Sequence, residues 1–287
     1  MAKWGLCLGG GGVLGFAHLG VLEVMEEHGL RPSCIAGTSA GAIVAALYAL
    51  GIPLPNIASA MEAFALEQRK ALSLCVPRPR LHPLSLHGPA GLIGGEAIEA
   101  ILHKVTGGRK LSETNLPVSI VSVDLVTGET VVFTSEAPPV THRCGSGRSY
   151  IVDAAVSEAV RASISIPVVF APKILGQRVL VDGGVKELIP AYETRRMGAD
   201  EVVAVDVSSE ADKPQKVSGM LGVLLRTFTV MEREATSRHL AEYASLVIQP
   251  ETGHASFPTP AEARRLVEAG RAAARASIDR WVAIACS

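Results

Sequence analysis

The segment Ser33-Cys34-Ile35-Ala36-Gly37-Thr38-Ser39-Ala40-Gly41-Ala42-Ile43-Val44-Ala45-Ala46-Leu47 sets one serine between two glycines, after a short apolar run and before an Ala-rich stretch. It reads as strand, sharp turn and helix. A side chain two residues from a serine at such a strained turn would collide with the neighbouring element, and Gly37 and Gly41 remove that collision on both sides. Ser39 is therefore the leading candidate for a nucleophile. A Gly-rich turn capped by a hydroxyl has the same spelling, and 28 glycines in 287 residues make it common, so the surrounding sequence has to decide.

On the N-terminal side, residues 6–8 form a short apolar strand, 9–12 a glycine loop, and 16–28 a helix with Ala17, Val21, Leu22 and Met25 on one face, closed by Gly29. Pro32 leads into the strand that ends at Ser39. The order strand, loop, helix, strand, turn, helix implies a parallel sheet covered on both faces. On the C-terminal side the pattern predicts helices over 57–71 and 96–105, strands over 118–123 and 130–134, a helix over 152–162, and strands over 179–181 and 202–207. A helix over 218–243, a strand over 246–248 and a last helix from 259 to about 285 complete the chain. Residues 77–95 are rich in Pro, His and Gly, and such a segment is expected to border a cleft rather than fill a core. With no internal repeat and no linker, the expectation is one domain over 1–287, its motif-bearing core about 5–210 and its C-terminal helical part about 211–287.

Composition narrows the partners. Apolar residues make up 48% and aromatics only 4%, so aliphatic side chains build the core of a globular α/β protein. A formal net charge of -1 and the lack of a polybasic run leave no electrostatic footprint for nucleic acid. Cys7, Cys34, Cys75, Cys144 and Cys286 form no C-x-x-C pair or metal pattern and read as reduced thiols. The N-terminus has no signal-peptide pattern, and the longest apolar run, 42–54, is broken by Gly51 and Pro53. A soluble cytoplasmic protein is expected.

Gly10-Gly11-Gly12-Val13-Leu14-Gly15 matches G-x-G-x-x-G after a strand. A dinucleotide fold also needs a carboxylate at the end of the second strand, and residues 33–41 contain none. A phosphate loop needs Lys and Ser or Thr after its last glycine, where Phe16 and Ala17 stand. The same physics serves a different anion. Backbone N–H groups at a helix start can receive the oxyanion of acyl transfer, and two adjacent parallel strands place this loop beside Ser39.

A serine needs a base. His239 and His254 follow the strand-end carboxylates, as a Ser-Asp-His order requires, but His239 falls on a Glu- and Arg-rich helix and His254 in a loop. His18, His28, His82, His87, His103 and His142 have no carboxylate at a suggestive spacing. Among the strand-end carboxylates Asp124, Asp182 and Asp206, only Asp182 is followed by two glycines, Gly183 and Gly184, which clear space around it. A plain D-G turn is the alternative.

With the glycine loop, the Ser39 turn and Asp182-Gly183-Gly184 in this order, the chain resembles patatin-like phospholipases, of the bacterial group similar to the catalytic domain of neuropathy target esterase. Residues 160–172 and 197–200 extend the resemblance, which covers roughly 6–207. It implies a three-layer α/β/α sandwich with a mainly parallel central sheet. It also implies a Ser39-Asp182 dyad cleaving fatty-acyl esters through an acyl-enzyme, with Gly10, Gly11 and Gly12 as the oxyanion loop, Gly15, Gly37, Gly41, Gly183 and Gly184 as motif support, and no metal or cofactor. Two positions depart from the family pattern: Leu14 stands where Arg or Lys is usual, and Leu188 where Asn is common. An acyl lipid is the expected substrate and transient contact with a membrane surface the expected partner. Leu224, Leu225, Phe228, Val230 and Met231 on the 221–243 segment could make that contact, although such a stripe more often packs into a core. A non-hydrolytic lipid-binding protein and an acyltransferase remain open as alternatives.

Overall fold

Strands β1 (Trp4–Leu8) and β2 (Cys34–Thr38) are buried along their whole length and pair in parallel, Leu8 opposite Gly37. Strands buried on both faces carry continuous apolar runs rather than alternation, and the segments Trp4-Gly5-Leu6-Cys7-Leu8 and Cys34-Ile35-Ala36-Gly37 have that composition. The computed structural model describes residues 3–74, 91–137, 147–208, 217, 219–253 and 259–287.

The sheet runs β11 (Leu246–Ile248), β10 (Glu201–Val205), β1, β2, β4 (Val118–Asp124), β5 (Thr130–Thr134) and β6 (Arg148–Val152). β11 through β4 are parallel, β5 turns back antiparallel to β4, and β6 runs parallel to β5. A second hairpin, β8 (Lys173–Leu175) and β9 (Arg178–Asp182), joins at β4. The short β3 (Gly91–Ile93) and β7 (Val168–Phe170) pair apart from this sheet. Helices α1 (Phe16–Glu27), α2 (Ala40–Ala49), α3 (Leu54–Leu74), α4 (Glu96–Thr106), α5 (Val156–Ser163), α6 (Ala191–Arg196), α7 (Gly219–Tyr243), α8 (Pro260–Ala276) and α9 (Ile278–Cys286) flank the sheet. This is the expected three-layer α/β/α architecture with a mainly parallel sheet. Among the described residues no helix is long and apolar enough to cross a membrane.

Two predicted elements differ. The helix expected over 152–162 begins at Val156, because Arg148–Val152 is an edge strand held by β5. The last helix divides at Ser277 into α8 and α9, and the turn carries Trp281 into the core, edge-on to Trp4 with ring centroids 5.7 Å apart.

The C-terminal helices pack on the element that follows the glycine loop. α8, capped by the Thr259 hydroxyl accepting from the Glu262 N–H, crosses α1 with backbones almost touching. A Cβ on Gly20 would lie 1.9 Å from the Val267 carbonyl oxygen, and one on Gly270 1.9 Å from that of Ala17. Arg271 and Glu23 close the crossing at its rim, 2.6 Å apart. Alanine is a better helix former than glycine by about 1 kcal/mol, yet a methyl here forces the helices apart. Gly270→Ala is expected to lower stability by about 1–3 kcal/mol, read from the urea midpoint; an unchanged or higher midpoint contradicts so close a crossing.

Candidate active site

The site is organised by one edge of β4. Its residues 118–121 pair with Ile35–Thr38 of β2, ending with Val121 opposite Thr38. Its next residues, Ser122 to Asp124, pair antiparallel with Asp182 to Leu180 of β9. β2 and β9 therefore meet end to end along β4, with Asp182 opposite Ser122 and Thr38 one position away. Both chains must turn out of the sheet there. Gly183 makes its turn against β4: a Cβ on it would lie 2.4 Å from the Val121 carbonyl oxygen and 3.0 Å from Thr38 Cγ2.

Ser39 follows Thr38 with φ 55 and ψ -122, a backbone that costs a non-glycine residue about 1–3 kcal/mol and persists only where its surroundings over-determine it. Its N–H donates to Ser163 Oγ (2.9 Å), and that hydroxyl donates to the Val121 carbonyl (2.6 Å). Thr38 Oγ1 donates to the Glu187 carbonyl at 3.0 Å. The glycines around Ser39 are sterically required. A Cβ on Gly41 would lie 2.1 Å from the Leu8 carbonyl oxygen, one on Gly37 2.5 Å from that of Gly41, and one on Gly15 2.6 Å from Ala40 Cβ.

The glycine loop leaves β1 beside this turn. The Gly9 N–H donates to the Val205 carbonyl (3.0 Å) and the Gly10 N–H to the Leu188 carbonyl (2.9 Å). On the other side His18 Nε2 lies 2.8 Å from the Gly9 carbonyl oxygen. Burial holds that imidazole down to about 4, against the opposing pull of the Gly9 contact, so it is neutral and donates through Nε2. Gly12 opens a short 3-10 turn, Gly12–Gly15, that runs into α1, and a helical stretch leaves its first N–H groups without partners of its own.

Leu188, where the family pattern commonly has Asn, is buried and acts through its backbone: its carbonyl holds Gly10, while the carbonyl of the preceding Glu187 holds Thr38. One loop after Asp182 thus clamps both the glycine loop and the Ser39 turn. Below it Arg148 bridges Glu187 (2.7 Å) and Glu193 (2.9 Å) in a buried network.

Two cavities meet at Ser39, each bordered also by Gly12 and Ile166. The first is apolar, its walls including Phe16, Ile43, Met61, Phe64, Ile98 and Phe170. The second includes Gly10, Gly11, Leu14, Asp182, Leu188 and the α7 face bearing Thr229, Glu232 and Arg233. Arg161 stiffens the wall of the first, donating to the carbonyls of Ala171 (2.8 Å) and Gly94 (2.5 Å).

Burial pushes the Asp182 carboxyl up to about 6, opposed by its hydrogen bonds from Ser39 and from the Gly184 N–H, which lies 2.8 Å from Oδ1. Asp182 is thus a buried carboxyl that ionises near neutrality and touches a serine hydroxyl.

The other candidates lie elsewhere. Asp124 accepts from the backbone of Val126 and Val179 and from Thr127, tying hairpins together, and Asp206 pairs with Arg233 and Ser208. His239 stacks edge-on against Tyr243 and lines neither cavity. His82, His87, His142 and His254, with Cys75 and Cys144, lie outside the described residues. Among the described residues no cluster of His, Cys, Asp and Glu could hold a metal. The α7 stripe does not go into the core as its spacing suggests: Val223, Leu224, Val230 and Met231 are exposed, because α7 turns Thr229, Arg233, Thr236 and Leu240 inward instead; Leu225 and Phe228 side chains lie outside the description. Ser163 and Glu232 carry no sequence signal, since their place depends on contacts across the fold.

Residues 6–195 match the family described as patatin-like phospholipase. The chain belongs to this family. The family acts on lipids as hydrolases. An uncharacterized NTE family protein of Mycobacterium tuberculosis is 28% identical over 300 residues, covering 96% of this chain and 46% of that protein. Patatin-like phospholipase domain-containing protein 6 of Mus musculus is 33% identical over 211 residues, 71% of this chain and 13% of that one. The chain spans about half the length of the mycobacterial relatives it matches. Among solved structures, VipD from Legionella pneumophila superposes with a TM-score of 0.54 at 14% identity, covering 97% of this chain and 67% of that one, a likeness of fold.

The buried carboxyl makes a linked prediction. Its folded value of about 6 lies above a carboxylate's ordinary 3.8, so the folded state holds the proton longer, and the group's stabilising contribution is full below pH 4 and lost as pH rises through about 6. Asp182→Asn lacks this penalty. Its stability relative to the native chain should therefore rise by up to about 3 kcal/mol between pH 4 and 7.5, measured by urea unfolding at both pH values; a pH-independent difference contradicts the burial argument.

Proposed function

We propose that the protein is a serine acyl hydrolase of the lipase, phospholipase or lysophospholipase type, cleaving fatty-acyl esters through a Ser39-Asp182 dyad. The observation that carries this reading is the end-to-end meeting of β2 and β9 on β4, which brings a strained serine and a buried carboxyl into hydrogen-bonding contact.

Asp182 takes the Ser39 proton as Oγ attacks the ester carbonyl, and burial raises its basicity for that step. Negative charge on the carbonyl oxygen is received by the N–H groups of Gly11 and Gly12 at the start of the helical turn, where the helix dipole adds to the donors. Gly10, whose N–H is committed to Leu188, anchors the loop. The tetrahedral intermediate collapses, the alcohol leaves with the proton from Asp182, and an acyl-Ser39 ester remains. Water then attacks, giving up its proton to Asp182, and the fatty acid departs as Ser39 recovers the proton. The apolar cavity takes the acyl chain and the second cavity the alcohol portion. No step calls for a metal or cofactor. The exposed Val223, Leu224, Val230 and Met231 of α7 give a face for transient contact with a lipid surface.

A fluorophosphonate probe should label Ser39, located by mass spectrometry, and p-nitrophenyl acyl esters should be hydrolysed. Ser39→Ala should abolish both signals, and Asp182→Asn should lower kcat by about 10²- to 10⁴-fold. Native kcat/KM should rise with pH through about 6, as the base loses its proton. Full turnover in both variants sinks the dyad. Lipid binding without labelling returns the non-hydrolytic reading, and transfer of the acyl group to an added alcohol in preference to water returns the acyltransferase.

A further inference from the structure

The second cavity is unusual in its charges. Among the described residues its charged side chains are Asp182, Glu232 and Arg233. Arg233 is already committed: its Nη1 lies 3.0 Å from Oδ2 of the buried Asp206 and 3.3 Å from Ser208 Oγ, so the pair adds no net positive field. Glu232 projects from α7 toward the Asp182 turn. Its Oε1 lies 3.0 Å from where a Cβ on Gly184 would be, and that same Cβ position is 3.1 Å from Asp182 Oδ1. Two carboxyl groups thus face each other across Gly184, and among the described residues Glu232 has neither a cation nor a hydrogen-bond partner. Leu14 and Leu188 complete the apolar part of the wall. Among these side chains any net charge is negative.

Resting on the Ser39 chemistry proposed above, we infer that this cavity selects acyl esters whose alcohol portion is uncharged, of the glyceride type, over esters bearing a phosphate, with Asp182 supplying the repulsion and Glu232 receiving the alcohol's hydroxyl. A phosphate placed here meets the Asp182 carboxylate across a partly desolvated space in which, among the described residues, the one lining cation, Arg233, is engaged by Asp206, and desolvation strengthens that repulsion. A glycerol hydroxyl meets no such penalty and can exchange hydrogen bonds with Glu232. Burial first, and then the nearby Asp182 charge, push Glu232 up to about 8. At neutral pH it therefore keeps its proton and serves as both donor and acceptor to a hydroxyl. Specificity of this kind is a difference of affinities in which the repulsive element does the rejecting.

The test separates headgroup choice from catalysis. In the Ser39→Ala protein, binding of a non-hydrolysable 1-O-alkylglycerol is compared by calorimetry at pH 7 with that of the matching 1-O-alkylglycerol 3-phosphate, both below their critical micelle concentrations. The neutral ether is expected to bind at least about ten-fold more tightly, and Glu232→Lys, which places a cation in the cavity, should reduce that ratio at least about ten-fold. Equal or tighter binding of the phosphate in the Ser39→Ala protein overturns the inference without any Glu232 variant. An unchanged ratio in a Glu232→Lys protein with a native melting temperature overturns the role of Glu232. Because neither measurement involves turnover, failure here leaves the dyad standing if Ser39-dependent esterase activity is found, and loss of the dyad is read from that activity alone.

Discussion

The arrangement depends on β4 serving two partners on one edge. A strand can offer each backbone position to only one neighbour on a given side, so where β2 ends β9 can begin, and the seam between them is set by hydrogen-bond register rather than by side-chain packing. Thr38 opposite Val121 and Asp182 opposite Ser122 are consecutive rungs. Register is quantised, so a one-residue slip of β9 would move Asp182 by a full rung and to the other face of the sheet. The antiparallel hairpin that delivers Asp182 therefore interrupts the parallel order at the one place where two chain ends are needed together.

Holding the site in this state is costly, and the cost is spread over several elements. Ser39 keeps a backbone that side chains avoid, and Asp182 sits where burial opposes its charge. Against these stand the Ser163 relay to Ser39 and Val121, the two carbonyls at 187 and 188 that grip Thr38 and Gly10, and His18 beneath Gly9. All of these contacts involve the backbone of the site, so they fix the path of the chain while leaving Ser39, Asp182, Gly11 and Gly12 to border the second cavity. A strained site supported by rigid neighbours is preorganised.

How much of this could be read from the sequence follows from the range of each interaction. Gly37 and Gly41 are readable because a strand-turn-helix around a serine leaves no room for side chains there, and Gly183 because it follows a strand-end carboxylate; the atoms that Gly41 and Gly183 clear, the Leu8 and Val121 carbonyl oxygens, belong to other strands. The layer architecture was readable from apolar runs and helix periods. The role of Leu188 was not, since a carbonyl looks the same in every residue and only the folded loop shows which amide it meets. Glu232 was hidden for a related reason: nothing in its helix marks it, and it matters only because α7 lies across from Gly184. The start of the helix expected at Val152 and the outward turn of the α7 stripe differ from the local period because tertiary contacts override it.

The crossing of α1 and α8 separates two notions of a boundary. All the motif residues lie before residue 200, and so does the matched family span. Yet the helix that carries the glycine loop into the core is backed, carbonyl against methylene, by a helix some 250 positions later in the chain. A lineage that kept every motif but exchanged its C-terminal quarter would have to find another helix with a glycine at the crossing, or let α1 and the loop ahead of it relax. Inheritance of the chemistry is thereby tied to inheritance of a distant, chemically silent surface.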